Sequence, residues 1–165
     1  MGAVHVNAIL QIGIVIQNAD EAIRNYENLL GISGWNINYV DTQNGVGRNF
    51  RHGNKDVAVK AKIAWVSIGN VEIELIEPRD ETSIYAEYLR NNGPGVHHLM
   101  FGIDDHQKGV ECMRVNGVES IVSGELQATK FQLFDTRSLL GTITEFAEGD
   151  ALIPDKFATE SENTR

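Results

Sequence analysis

Gly95-Val96-His97-His98-Leu99-Met100-Phe101-Gly102-Ile103-Asp104 reads as an apolar strand, interrupted by polar side chains and running into an acidic, helix-starting segment. Near the N-terminus, Ile9-Leu10-Gln11-Ile12-Gly13-Ile14-Val15-Ile16-Gln17-Asn18 has the same order. With Gln11 laid over His98, Leu10 falls on His97, Ile12 on Leu99 and Ile14 on Phe101. Twenty positions separate Gln11 from Gly31, the glycine closing the next helix, and nineteen separate His98 from Gly117. Identity between the two stretches is low. Their shared order of elements predicts one module used twice.

Working outward, Asn18 is placed to cap a helix, with Glu21 three residues on. Ala22, Ile23, Tyr26, Leu29 and Leu30 form an apolar stripe along that helix, and Gly31 stops it. Trp35–Val40 reads as a second strand. Residues 41–55, rich in Gly and Asn and without apolar rhythm, read as a long loop or mobile hairpin, a candidate lid. Val57–Ile68 and Val71–Ile76 flank a Gly69-Asn70 hairpin turn, and a short helix is expected over Ser83–Asn91. The second module repeats the order. It has a strand over Val96–Ile103, a helix from Asp104 or Asp105 to about Val115, and strands near Glu119–Val122, Lys130–Phe134 and Thr142–Ala147. The fold class expected is α+β, one domain over residues 8–149 with modules of about 8–78 and 95–149, and a frayed polar tail over 150–165.

A chain of 165 residues is long enough for one substantial core. Its net charge of −9 argues against nucleic acid or an anionic membrane as partner. No apolar run is long enough to span a bilayer. Cys112 is the only cysteine, which excludes an intrachain disulfide and favours a reducing, cytoplasmic setting. A buried structural role suits it better than a nucleophilic one.

Strand alternation decides which polar residues share a face. Glu72 and Glu74 point one way while Ile73 and Leu75 point the other. Glu145 shares its face with Ile143 and Ala147, so a carboxylate stands on an apolar surface, which is costly unless a cation meets it. His98 lies between Val96 and Met100, and Gln11 sits mid-strand. For Glu74 alone a solvated strand face is the simpler reading, and His97 competes with His98. His5, His52 and His106 fall in loops or at a helix start and are expected to be exposed. One imidazole, two carboxylates and an amide oxygen on four strands would suit one divalent ion per chain: Zn, Ni, Co or Mn. Such an ion polarises a carbonyl and acidifies the neighbouring carbon.

At these residues the chain resembles the vicinal oxygen chelate superfamily, which includes glyoxalase I, methylmalonyl-CoA epimerase and the extradiol dioxygenases. The resemblance spans about residues 8–149. It rests on Ile12-Gly13-Ile14 with Ala22-Ile23 and Tyr26, on Leu29-Leu30-Gly31, on Ile73-Glu74-Leu75-Ile76-Glu77-Pro78, on Gly95-Val96-His97-His98-Leu99 and on Glu145. It implies two βαβββ modules forming a curved mixed sheet cup, the glyoxalase/bleomycin resistance/dioxygenase-like fold, around one metal held by Gln11, Glu74, His98 and Glu145. Gln11 stands where the epimerases commonly have His, whereas glyoxalase I enzymes have either. An acid/base Glu that the epimerases carry near Val57-Ala58 is missing, and the nearest carboxylate is Asp56.

The function expected is therefore a metal-dependent isomerase, epimerase or lyase acting beside a carbonyl or thioester, with Glu145 as proton shuttle. The alternative is a non-catalytic module that binds or sequesters a small molecule in the same cup. The partners expected are a small acyl or carbonyl substrate and a second copy of the chain in a homodimer.

Overall fold

The structure, a computed structural model, describes residues 4–126 and 129–148, so the expected tail lies outside the described residues. In chain order the first half comprises β1 (Val6–Val15), α1 (Ala19–Leu30), β2 (Asn36–Asp41), β3 (Arg48–His52), β4 (Lys55–Asp56), β5 (Lys60–Ile68) and β6 (Val71–Pro78). After the connecting α2 (Ile84–Asn92), the second half comprises β7 (Gly95–Ile103), α3 (His106–Val115), β8 (Ser120–Leu126), β9 (Thr129–Phe134), α4 (Arg137–Leu140) and β10 (Ile143–Glu148).

The ten strands form one curled mixed sheet ordered β2-β5-β6-β1-β7-β10-β9-β8-β3-β4. The two halves meet where β1 and β7 pair antiparallel. Each of these strands pairs in parallel with the last strand of its own half, β1 with β6 and β7 with β10. The expected repeat is therefore present as two βαβββ modules related by an approximate two-fold axis. The register shows it residue by residue. Gln11 lies opposite Met100 and Gly13 opposite His98, so exchanging the halves turns one pair into the other.

Local signals account for most of these elements. Asn18 caps α1 by accepting from the Glu21 amide, at 2.9 Å. Gly31 ends the helix in the left-handed conformation, at φ 69°, which glycine adopts without strain. Ser83 and Asp105 cap α2 and α3 in the same way. On the outer face of the sheet, Ala22, Ile23 and Tyr26 of α1 pack over Ala64 and Leu75, and Tyr26 meets Trp35 edge-on at 5.4 Å. The expected stripe ends there. Leu29 and Leu30 are 80% and 66% exposed because the last turn of α1 overhangs the sheet.

The second correction concerns residues 41–55. Of the two alternatives the hairpin is the one present, since β3 and β4 pair antiparallel, but it is tied into the sheet: β3 crosses to the far edge and pairs antiparallel with β8 of the other module. Phe50 anchors this strap against Phe131, the rings 5.2 Å apart and nearly perpendicular. A Cβ on Gly124 would sit 2.9 Å from Phe50 and 2.8 Å from Phe131, so this glycine makes the room both rings occupy. β5 begins at Lys60, later than the expected Val57, and α4 was not expected at all. Among the described residues no helix is long and apolar enough to cross a membrane.

Candidate functional site

The four central strands carry two neighbouring rows of side chains into the cup. One row, from β6 to β10, is Glu72, Gln11, Met100 and Glu145. The next is Glu74, Gly13, His98 and Ile143. Gly13 is the gap in the second row. A Cβ there would lie 2.1 to 2.6 Å from three atoms of the His98 ring, so the imidazole rests directly on the β1 backbone. Because nothing projects from Gly13, His98 on β7 reaches past β1 towards Glu74 on β6. Its Nε2 lies 3.5 Å from Glu74 Oε2 and 2.9 Å from Glu145 Oε2.

The electrostatics follow from burial. His98 is 1% exposed and Glu145 5%. Burial opposes a charged imidazole, but Glu145 and then Glu74 outweigh it and push the His98 pKa up to about 10. Burial also raises Glu145, so this pair holds its proton to high pH. His97 points away from the cup, packed against the rings of Tyr85 and Tyr88, both at 5.1 Å. Its Nδ1 meets His98 Nδ1 at 3.0 Å. Burial, then the neighbouring His98 and Arg137, lowers its pKa to about 3, so it stays neutral. A neutral His97 accepting at Nδ1 fixes the tautomer of His98, leaving Nε2 as the end that faces the carboxylates.

Gln11 donates from Nε2 to Glu72 Oε1 at 2.5 Å, which commits its amide nitrogen and leaves its oxygen as the end available to a ligand. Glu72 is the residue that strand alternation undervalued. It is 5% exposed, and Glu74, for which a solvated face is the simpler sequence reading, keeps only 15% of its side chain exposed; burial pushes the Glu72 pKa up to about 7, with Glu74 and Glu145 adding to the rise against the hydrogen bond from Gln11. Its signal was the shared face with Glu74. What the sequence could not give was the depth of β6 in the sheet.

Asp56, the carboxylate nearest the missing epimerase position, is 91% exposed at its side chain and lies 3.4 Å from Arg51 on the outer strap. The cup-facing residues of β5 are Ala61, Ile63 and Trp65, so no carboxylate takes that place. Lys62 points to the opposite face, where Asp20 holds its ammonium at 2.8 Å. His5 and His52 are exposed as expected, but His106 is half-buried at the start of α3. Cys112 is partly exposed, not buried.

The cavity between the modules has a volume of about 120 Å³ and is lined by Gln11, Glu72, Glu74, His98 and Glu145 under an apolar wall. Among the described residues no group of three or more His, Cys, Asp or Glu side chains is arranged so that it could hold a metal ion. Here the carboxylates close directly onto the imidazole. The donor set nonetheless fits an ion. His98 Nε2 is buried with no aligned hydrogen-bond partner, although Glu145 is close. Ligand bonds of about 2.0–2.2 Å put donor atoms roughly 2.8–3.1 Å apart at octahedral angles and roughly 3.3–3.6 Å apart at tetrahedral ones. The separations of 2.9 and 3.5 Å from His98 Nε2 to the two carboxylates agree with that spacing.

Comparison with known proteins agrees with this architecture. Over 145 residues the chain is 23% identical to the uncharacterized protein YqjC of Bacillus subtilis (strain 168), covering 86% of this chain and 92% of that one. Methylmalonyl-CoA epimerase from Mycobacterium tuberculosis shares the fold with a TM-score of 0.63 and 21% identity, over 90% of this chain and 92% of that one. A Streptomyces coelicolor methylmalonyl-CoA epimerase, in complex with 2-nitronate-propionyl-CoA, also gives 0.63, at 19% identity over 92% of this chain and all of that one. Residues 10–132 match the family model described as Glyoxalase/Bleomycin resistance protein/Dioxygenase superfamily, and the chain belongs to that superfamily.

Proposed function

We propose that this cup binds one divalent metal ion through Gln11, Glu74, His98 and Glu145, and that the protein is an isomerase, epimerase or lyase acting beside the carbonyl or thioester of a small acyl substrate. The observation that carries the reading is the His98 imidazole. It is buried, its Nε2 has no aligned partner, and it converges with two carboxylates drawn from different strands. A buried charge cluster of this kind is costly to keep for stability alone. The epimerases that share the fold act on methylmalonyl-CoA by name, which fits a reaction at a carbon next to a thioester.

When bound, the ion would polarise the substrate carbonyl and acidify the adjacent C–H. The chain's own residues do the rest. His97 orients His98 through the Nδ1 contact, and Glu72 orients Gln11 by accepting from its amide. Glu145 stands on the apolar face of β10 and is the group that takes the proton from the substrate carbon and returns it. Phe50 and Phe131 keep water from the deep end of the cup.

Elemental analysis should find about one Zn, Ni, Co or Mn per chain, and a chelator should lower the melting temperature. With a panel of acyl thioesters and hemithioacetals in D2O, hydrogen at the carbon beside the carbonyl should exchange. Glu145→Gln should keep metal and lose exchange. A protein that takes up no divalent ion refutes the site, and exchange at the wild-type rate in metal-loaded Glu145→Gln gives the proton to another base.

One observation favours the alternative of a non-catalytic binding module. Ala61, Ile63 and Trp65 leave β5 without a second carboxylate, so inversion by two opposed acids has no support from that strand. Ligand binding without any exchange across the panel would select the binding module.

A further inference from the structure

From the charge and shape of the cavity we infer that its ligand is a compact, uncharged, apolar acyl group, and that a substrate bearing its own carboxylate beside the reacting carbon is rejected. This rests on the reading of the cup as the binding site, and it narrows the substrate class.

Three carboxylates, Glu72, Glu74 and Glu145, face the cavity with a single imidazole, and among the described residues no lysine or arginine lines it. The basic residues of β5 and β3 are engaged elsewhere. On β5, Lys60 pairs with Asp41 at 3.2 Å and Lys62 with Asp20 at 2.8 Å. On β3, Arg48 lies 4.0 Å from Glu125 and Arg51 3.4 Å from Asp56. The two carboxylates proposed as ligands match the charge of a divalent ion, so a loaded site offers no net positive charge to an incoming anion. Glu72 then leaves the cavity with no positive surplus at all. An anionic group entering a buried site without a cation loses hydration that nothing replaces.

The remainder of the wall is mostly hydrocarbon, with Asn38, Tyr85 and Thr129 as its polar members. Phe50, Ile63, Trp65 and Phe131 line the space, and Met100 lies between Gln11 and Glu145 in the row of polar side chains. An apolar cavity of roughly 150 Å³ takes a benzene. The 120 Å³ here is of that order and has room for a branched acyl head, and the cavity opens to solvent where a thiol carrier could leave.

The test uses two pantetheine thioesters that differ by one group, isobutyryl and methylmalonyl, the second carrying a carboxylate where the first has a methyl. Binding to the protein as purified is measured by calorimetry, and deuterium exchange is followed in parallel. The isobutyryl thioester should bind at least tenfold more tightly. A cation placed at the rim by Thr129→Lys should narrow that ratio. Equal or tighter binding of the methylmalonyl thioester overturns the inference, and so does failure of both to bind. Preference for isobutyryl without exchange keeps the ligand class and removes the catalytic reading. Exchange with preference for methylmalonyl keeps the catalytic reading and removes the ligand class.

Discussion

Gly13→Ala is the smallest change that tests the site directly. The added methyl would lie 2.1 Å from His98 Cε1, 2.2 Å from Nε2 and 2.6 Å from Nδ1. Carbon atoms in good contact sit about 3.5–4.0 Å apart, so either the ring retreats by more than ~1 Å or β1 and β7 separate. Retreat is hard. The ring is 1% exposed, and its Nδ1 is held by His97 at 3.0 Å. Overpacking of this kind costs about 1–3 kcal/mol, and each kcal/mol moves the melting temperature of a domain this size by roughly 2–4 °C. A fall of roughly 2–12 °C is expected for the metal-free protein.

The effect on the site should be larger than the effect on the fold. Metal ligands tolerate deviations of about 0.2 Å, whereas Nε2 would be displaced several times that. Loss of one imidazole ligand should weaken metal binding by at least the ~10–100-fold seen when its supporting partners are removed. Calorimetric titration with Zn or Mn, beside thermal melts with and without metal, reads both quantities. Gly102→Ala is the control. Its methyl would meet Asn7 Oδ1 at 2.6 Å and Leu10 at 3.4 Å, but Asn7 is exposed and can move at the cost of one exposed hydrogen bond to Asp104. That variant should keep wild-type metal affinity. If Gly13→Ala binds metal as tightly as wild type and melts at the same temperature, the stacking of His98 on the β1 backbone is not what forms the site.

Glu72→Gln should flatten the pH dependence of stability. The folded pKa is raised from 4.5 to about 7, so Glu72 lowers stability as pH rises between those values, by on the order of 3 kcal/mol at most. The variant should therefore be the more stable protein in urea melts at pH 8 and equal to wild type at pH 4. His97→Phe keeps a ring between Tyr85 and Tyr88 but removes the nitrogen facing His98, and metal affinity should drop about 10–100-fold. Phe50→Ala should cost about 3 kcal/mol, loosen the strap and admit larger acyl groups in the calorimetric panel.

Much of this was legible in the sequence because the signals were local. Asn18, Gly31 and the Gly69-Asn70 turn each act within a few residues, and the structure places all three as read. Glu145 was legible because its neighbours on the same face are apolar and leave an acid nothing else to do. The strap was not legible, since its anchor is a single Phe50 whose partner, Phe131, belongs to the other module. Nothing in residues 41–55 points to an edge strand that far along the chain. Leu29 and Leu30 failed for a related reason: the stripe gives the buried face of α1 but not where the sheet beneath it ends.

The two-fold relation between the modules explains what the site is made of, and its failures explain what the site can select. Exchanging the halves carries Gln11 onto His98 and Glu74 onto Glu145, so the proposed metal donors are two pairs of equivalent positions. An ion near such an axis would draw its ligands from equivalent positions of both halves, and the overlay of the two strands pairs Gln11 with His98 in the same way. The inner neighbours of those donors break the symmetry. Gly13 is carried onto Met100, and Glu72 onto Ile143. Had both modules kept Met at the first position, the His98 ring would have no backbone to rest on. Had both kept Glu at the second, a further buried acid would face the cup where Ile143 now packs into the core. One half thus supplies the gap and the extra carboxylate, and the other supplies the thioether and the hydrocarbon. On the proposed reading, an ion would be held by equivalent positions of the two halves, while Glu72 and Ile143 would make the acyl group's surroundings unequal on its two sides.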